Sequence, residues 1–188
     1  MKLISLLEKL EYTCLQGSTD QEVKNVIYDS RKVEEGSLFI CIRGAVVDGH
    51  KFVPDVVAKG AKVLIVEEAV EVPEDVTVIL VKDTRYAMAF ISAAYFGYPA
   101  EKLKTIGITG TKGKTTTTYM VKSILENAGY KVGLIGTIEA IIGDKVIPAK
   151  NTTPESYVIQ EYFHEMAEAG CDCVVMEVSS QRSEEHTS

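Results

Sequence analysis

The sequence predicts an α/β protein in which a small N-terminal α/β domain precedes a domain built on a mainly parallel sheet. Short apolar runs alternate with segments of helical periodicity, which is typical of parallel sheets. The alternation is interrupted near Pro99–Lys102, directly after a helical segment that ends in Gly-Tyr-Pro. A glycine-rich loop, TGTKGKT at 109–115, separates a predicted strand from a predicted helix. We therefore expect two domains, residues 1–100 and 101–181.

The first domain begins with leucines at positions 3, 6, 7 and 10, a spacing that predicts a short amphipathic helix within the first twelve residues. Four strand-like runs follow, each bounded by glycine, proline or acidic turns: VIYDS, SLFICI, KVLIVEE and VTVILVK. A helical pattern from Thr84 to Gly97 closes the domain.

The second domain alternates more regularly between strand and helix. The predicted strands are KTIGITG, KVGLIGT and CDCVVMEVSS, and IEAIIGDKVIP forms an extended segment around a Gly-Asp turn. The predicted helices are TTTTYMVKSILENAG and ESYVIQEYFHEMAEAG, each ended by its glycine. In such a fold we expect the ligand at the carboxyl ends of the strands.

Composition excludes several classes of function. The 188 residues carry a net charge of -7, so the chain offers no general surface for nucleic acid. The most apolar later segment, AMAFISAAYFGY, is too short to span a bilayer, and we expect a cytoplasmic protein without membrane insertion. The four cysteines have no zinc-ligand spacing and indicate reduced structural thiols.

The glycine-rich loop has the composition of a phosphate-binding loop. Gly110 and Gly113 can bring backbone amides close to phosphate oxygens, Lys114 would bridge the outer phosphates, and the Thr115 hydroxyl would bind Mg²⁺. The strict pattern G-x-x-x-x-G-K-[ST] requires glycine where this chain has Ile108, so the loop is a variant. It predicts a bound nucleoside triphosphate and leaves GTPase, kinase and ligase open.

Three further motifs carry a family resemblance. The variant T-G-T-x-G-K-T-T is followed by NTTP at 151–154 and MEVSS at 176–180, and DSRKVEEGSLFICIRGAVVDGHKF lies upstream at 29–52. Together these motifs resemble the Mur ligase family of bacterial peptidoglycan synthesis. NTTP with MEVSS is characteristic of the type that adds the third amino acid of the peptide, the MurE type.

The resemblance implies an ATP-dependent ligase that joins an amino acid to UDP-N-acetylmuramoyl-L-alanyl-D-glutamate through an acyl phosphate. It favours meso-diaminopimelate over L-lysine, because that substrate is the commoner among relatives. The implied partners are this sugar nucleotide, ATP and the amino acid, with Mg²⁺ as cofactor, and we expect a monomer when the enzyme is complete.

The resemblance also implies site residues. The ATP-binding set is Gly110, Thr111, Lys112, Gly113, Lys114, Thr115 and Thr116, with Lys114 catalytic and Thr115 and Glu177 holding Mg²⁺. The substrate-binding set is Ser30, Asp48, Gly49 and His50 for the uridine diphosphate and Asn151, Thr152, Thr153 and Ser179 for the sugar-peptide. Arg31 could face the diphosphate or only pair with Asp29.

Other interpretations remain open from the sequence. A MurF-type ligase, another Mur-like amide ligase such as a folylpolyglutamate synthase, and a non-catalytic nucleotide-binding module share the loop. A regulatory GTPase would usually carry an N-K-x-D stretch, which this sequence lacks.

The last seven residues, RSEEHTS at 182–188, continue no helix or strand pattern. They back-translate to AGA TCG GAA GAG CAC ACG TCT, which looks like a sequencing-library adapter, and we expect this tail to be non-native. Because the resemblance stops after Gln181, we expect an incomplete central domain and a truncated, inactive chain.

Overall fold

The computed structural model describes residues 1–44 and 47–179 of the chain. These residues form two compact units, one from Met1 to Tyr95 and one that begins at Phe96. The predicted tail at 182–188 lies outside the described residues. Within the described ranges, no helix combines the length and the apolar character that crossing a bilayer requires.

The first unit contains a five-stranded sheet in the order β1-β5-β4-β3-β2. Four strands run parallel, and β1 pairs antiparallel with β5. The strands are β1 Thr13–Gln16, β2 Asn25–Ile27, β3 Ser37–Ile40, β4 Val63–Val66 and β5 Thr77–Leu80. The helices are α1 Leu3–Leu6, α2 Val53–Ala58 and α3 Thr84–Tyr95, with 3-10 turns at Ser30–Lys32 and Gly49–Phe52.

The degree of burial of each element in the first unit explains which elements could be predicted from the sequence. Strands β3 and β4 are buried along their whole length, so their apolar runs are continuous and easily recognised. Strand β1 is mostly exposed, and its sequence TCLQ shows no alternation. Helix α2 has only six residues, too few for a clear helical period. The sequence analysis therefore missed β1 and α2, and α1 is shorter than expected.

The second unit contains a second five-stranded sheet in the order β6-β10-β7-β8-β9. Strands β6, β10 and β7 are parallel, whereas β8 and β9 form an antiparallel hairpin that extends the sheet beside β7. The strands are β6 Lys104–Ile108, β7 Val132–Ile135, β8 Glu139–Ile142, β9 Lys145–Pro148 and β10 Cys173–Glu177. The helices are α4 Lys114–Asn127 and α5 Ser156–Glu168.

The parallel part of this sheet places three chain segments at one edge. Cys173 at the start of β10 lies opposite Lys104 of β6 and Val132 of β7, so the three strands run in step. Because parallel strands end at the same edge, the loops that follow Ile108, Ile135 and Glu177 lie close together. The structure thus confirms the predicted α/β fold class, and the sheet of the second unit is mixed, because the β8-β9 hairpin adds two antiparallel pairings to the parallel β6-β10-β7 part.

Close packing fixes helix α5 on this sheet. A Cβ atom added to Gly133 of β7 would lie 2.4 Å from the Met166 sulfur of α5, so any larger residue would displace the Met166 side chain from the sheet. Cys171 and Cys173 are buried free thiols, which agrees with the expected structural role.

Candidate functional site

The glycine-rich loop connects β6 to α4 at the carboxyl edge of the second sheet. Gly110 has φ 147° and Gly113 has φ 77°, conformations that residues with a Cβ atom rarely adopt. Gly113 is also the N-cap of α4, and no described side chain caps this helix end. The first amides of α4 therefore point outward with the positive end of the helix dipole, which is the geometry that binds phosphate.

Lys114 is the first residue of α4, and its side chain folds back across the loop. Its Nζ donates a hydrogen bond of 2.8 Å to the Gly110 carbonyl. The ammonium makes no ion pair with any carboxylate in the described ranges, so its charge is available to an anion in the loop.

Glu177 ends β10 and is only 1% exposed. Its Oε2 accepts hydrogen bonds from the Thr115 hydroxyl at 3.1 Å and from the Thr137 hydroxyl at 2.9 Å. Its Oε1 accepts from the Thr137 backbone N–H at 3.0 Å. A Cβ added to Gly136 would lie 2.8 Å from Oε1, so the carboxylate rests in a recess that glycine leaves open.

These groups fit a magnesium ion. A carboxylate and a hydroxyl supply the hard oxygen ligands that Mg²⁺ prefers. Burying a carboxylate is costly unless a positive charge compensates it, and Glu177 has no lysine or arginine partner among the described residues. The donor set and the uncompensated charge both favour a cation beside Glu177 and Thr115.

The NTTP loop is joined to the backbone at the end of β10, next to the same glutamate. The Thr153 hydroxyl, in a residue only 4% exposed, donates to the Glu177 carbonyl at 3.2 Å and accepts from the Ser179 N–H at 3.0 Å. Its single proton is therefore used inside the protein. Thr153 fastens the loop to β10, whereas the neighbouring Asn151 is exposed and Thr152 is half-buried.

A cavity of about 250 Å³ lies beside this loop. It is lined by the end of β7, the end of β9, the loop itself and the first two turns of α5, including Gly136, Lys150, Asn151, Pro154 and Tyr162. The cavity gives the loop a recess in which part of a ligand could lie.

In the DSR motif of the first unit, the arginine pairs with the aspartate. Arg31 is largely exposed and pairs with Asp29 through two hydrogen bonds of 2.9 and 2.7 Å. These hydrogen bonds lower the pKa of Asp29 from 3.8 to about 2. Arg31 is thus the partner of Asp29 in this structure. The Ser30 hydroxyl makes no hydrogen bond to the described residues and remains open to a ligand.

His50 is an internal link in a hydrogen-bonded chain. Its Nδ1 lies 2.6 Å from Asp48 Oδ1, and its Nε2 accepts from the Glu67 N–H at 3.0 Å. The acceptor role of Nε2 places the proton on Nδ1. Glu67 in turn accepts from the N–H and the hydroxyl of Thr84, each at 2.8 Å, and so caps α3. His50 is 8% exposed and links its own turn to the end of β4, and Glu67 continues the chain to the start of α3.

The same geometry excludes a metal ion at this point. Ligand atoms of Asp48, His50 and Glu68 lie within 4.8 Å of one another. Both ring nitrogens of His50 are already occupied, and Glu68 accepts from Arg43 at 3.0 Å. Gly49 belongs to this packed corner, since an added Cβ would lie 2.7 Å from the Ile42 nitrogen.

The substitution His50→Phe is expected to destabilise the first unit by about 1 kcal/mol, because the partly buried Glu67 N–H would lose its acceptor. The amide of Glu67 should then exchange with solvent faster, and the urea midpoint of the unit should fall. Lys51→Ala, at an exposed neighbouring position, serves as the control and should change neither. Unchanged exchange at Glu67 in the His50 variant would contradict the structural role.

Thr137 was not identified from the sequence, although it contacts Glu177 through both its backbone and its side chain. A signal existed, because Gly136-Thr137 forms the end of the predicted strand KVGLIGT, at the ligand-binding edge. The Tyr119 hydroxyl, also absent from the predicted site, donates a hydrogen bond of 2.8 Å to Glu139. Burial and this bond to Glu139 raise the pKa of Tyr119 to about 12.

The fold and the loop define the class: an α/β protein in which a parallel strand leads into a glycine-rich loop at the start of a helix. Two sequence matches then identify the family. Residues 22–96 match the Mur ligase family catalytic domain, and residues 108–188 match the Mur ligase middle domain. The chain belongs to the Mur ligase family, as its motifs predicted.

Curated relatives are similar over nearly the whole chain. The UDP-N-acetylmuramoyl-L-alanyl-D-glutamate–2,6-diaminopimelate ligase of Clostridium perfringens is 53% identical over 98% of this chain. The ligase of the same name from Geobacillus kaustophilus is 44% identical over 96%. The chain spans 38% of the length of the first protein and 36% of the second.

Solved structures show the same fold. MurF from Acinetobacter baumannii aligns with a TM-score of 0.65 and 26% identity, covering 95% of this chain and 36% of that one. A 2,6-diaminopimelate ligase of the MurE reaction aligns with a TM-score of 0.76 and 23% identity, covering 96% of this chain and 36% of that one.

Proposed function

We propose that this chain supplies the uridine-nucleotide-binding and ATP-binding parts of a ligase of peptidoglycan synthesis. The ligase would add meso-diaminopimelate to UDP-N-acetylmuramoyl-L-alanyl-D-glutamate in the cytoplasm, at the expense of ATP. The names of the similar curated relatives support this substrate choice. The observation that carries the proposal is the contact between the loop residue Thr115 and the buried Glu177.

The proposed ligation requires a site whose positive groups offset the negative charge of the phosphates and the carboxylate. A carboxylate is a poor electrophile, so ATP must first phosphorylate it, and the incoming amine then displaces phosphate from the acyl phosphate. Transfer of a phosphoryl group to a carboxylate brings two anions together. Lys114 and the first amides of α4 would bind the phosphates and offset this repulsion. Mg²⁺ held by Thr115 and Glu177 would neutralise further phosphate charge.

The remaining loop residues, Thr111, Lys112 and Thr116, complete the proposed ATP-binding set around Gly110 and Gly113. Their exposure in the structure supports this role, because they form an open surface at the helix start. Lys112 would add a second cation near the phosphates.

Each unit would bind its own part of the sugar nucleotide. In the first unit we propose that Ser30 contacts the uridine diphosphate, and that Asp48, Gly49 and His50 shape the pocket from behind. In the second unit we propose Asn151, Thr152 and Ser179 as contacts for the sugar-peptide. The internal bonds of Thr153 and His50 favour a supporting role for these two residues.

Titration of the 188-residue chain with UDP and, separately, with ATP and Mg²⁺ tests this proposal. In amide NMR spectra we expect UDP to shift resonances near Ser30 and ATP to shift those of the loop and α4. A chain that binds ATP but ignores UDP would instead be a nucleotide switch. A chain that binds UDP alone would be a non-catalytic module.

The MurF-type alternative has structural support in the likeness to the Acinetobacter baumannii enzyme. The two types differ in the length of the peptide on the sugar nucleotide. We expect calorimetry to show tighter binding of UDP-N-acetylmuramoyl-dipeptide than of the tripeptide. Tighter binding of the tripeptide would favour the MurF type.

A further inference from the structure

We propose that Thr137 is a positioning residue that holds the Glu177 carboxylate in the orientation required for metal binding. This inference rests on the proposed function, because it concerns the ion that Glu177 and Thr115 would share. It assigns a role to a residue outside the glycine-rich loop, the NTTP motif and the MEVSS motif.

The geometry is that of a two-point clamp. The Thr137 N–H donates to Oε1 of Glu177 at 3.0 Å, and the Thr137 hydroxyl donates to Oε2 at 2.9 Å. Each carboxylate oxygen is thus held by one donor from the same residue. A carboxylate held at both oxygens cannot rotate about its terminal bond without breaking one hydrogen bond.

The surroundings of the Glu177 carboxylate offer it no second orientation with equally good hydrogen bonds. Gly136 faces Oε1 so closely that an added Cβ would lie 2.8 Å from it. On the other side, Oε2 accepts from the Thr115 hydroxyl at 3.1 Å. Thr137 therefore sets the plane of the carboxylate, and this plane directs one lone pair of Oε2 towards the loop.

The numbers of donors and acceptors around Thr137 determine where the protons of the Thr137 and Thr152 hydroxyls point. Ionised Glu177 can only accept, so the single proton of the Thr137 hydroxyl points to Oε2. The Thr152 hydroxyl lies 3.2 Å from the Thr137 oxygen and must then donate to it. A continuous chain runs from Thr152 through Thr137 to Glu177, which connects the NTTP loop to the proposed metal site.

The position of Thr137 makes the idea testable without loss of the fold. Thr137 lies two residues after the end of β7, and the residue is exposed. Removing its hydroxyl changes no core packing. The backbone half of the clamp remains in any variant, so the measured effect isolates the hydroxyl.

The experiment compares Thr137→Val, which removes the hydroxyl at nearly constant shape, with Thr137→Ser, which keeps it. Calorimetry measures the affinity of the chain for ADP with and without Mg²⁺. Groups that orient metal ligands typically contribute about 10- to 100-fold in metal affinity. Mg²⁺ should increase the affinity of the chain for ADP, and we expect this increase to be smaller by about tenfold or more in the valine variant. The affinity for ADP in the absence of Mg²⁺ should be unchanged. The serine variant should restore the gain.

Thr117→Val removes an exposed hydroxyl from α4 and is the matched control, expected to behave like the wild type. Thermal melting of each variant checks the fold, and Thr137→Ala provides a second deletion of the hydroxyl. A full Mg²⁺-dependent gain in the valine and alanine variants would overturn the role of Thr137 alone. Absence of any Mg²⁺-dependent binding by the wild-type chain would overturn the proposed metal site itself.

Discussion

Replacing Glu177 with glutamine is expected to abolish the dependence of ATP affinity on Mg²⁺. The substitution keeps the size of the side chain but removes its charge, and its amide NH₂ would face donors from Thr115 or Thr137. Loss of a direct ligand should exceed the loss from an orienting group, so we expect a decrease of about 100-fold or more in the Mg²⁺-dependent gain. Calorimetric titration of the chain with ATP over a series of Mg²⁺ concentrations measures this Mg²⁺-dependent gain in ATP affinity.

Glu139 provides the matched control for this experiment. It is a neighbouring carboxylate at the start of β8, and it accepts from the Tyr119 hydroxyl rather than from the loop. Glu139→Gln should therefore preserve the Mg²⁺ response. Equal losses in the two variants would mean that general negative charge, and not ligation by Glu177, is responsible.

The substitution Lys114→Ala should weaken ATP binding by about one to two orders of magnitude, since a charge-assisted hydrogen bond contributes roughly 1.5–3 kcal/mol. The melting temperature should change little, because the lysine ammonium bonds to the exposed Gly110 carbonyl alone among the described residues. In a ligase assay turnover should fall as well, since charge masking also matters during phosphoryl transfer.

Lys122 lies on the same helix and pairs with Glu126 four residues later. The substitution Lys122→Ala thus removes an equal charge from α4 at a distance from the loop, and ATP affinity should be retained. Near-normal ATP affinity in the Lys114 variant would refute its assignment.

The sequence predicted the elements whose residues carry a strong period or a continuous apolar run. Strands β4, β7 and β10 were recognised because both faces are buried, and α4 and α5 because they span several turns. Strand β1 and helix α2 could not be predicted, because pairing with β5 and packing against the sheet stabilise them, and neither leaves a local pattern.

The site was predictable as a set of neighbouring residues, but not as a set of atoms facing a ligand. The motifs singled out Thr153 and His50, yet the polar side-chain atoms of both residues are engaged within the protein. Thr137 belongs to the same cluster and lies outside every motif used. Which hydroxyl faces inward depends on backbone direction at the strand end, and that direction is set by long-range pairing.

The pairing of β10 between β6 and β7 has a consequence for how the protein folds. The loop, Thr137 and Glu177 are distant in sequence, and they meet only when both parallel ladders are in register. A slip of one residue would turn Glu177 to the opposite face of the sheet, so the site forms in full or not at all. Contacts between such distant segments are slow to form, because the loop-closure entropy must be paid before they stabilise the chain. A nucleotide that binds only the finished arrangement would therefore stabilise the folded second unit by mass action, and protection of its central strand from hydrogen exchange would rise with ligand concentration.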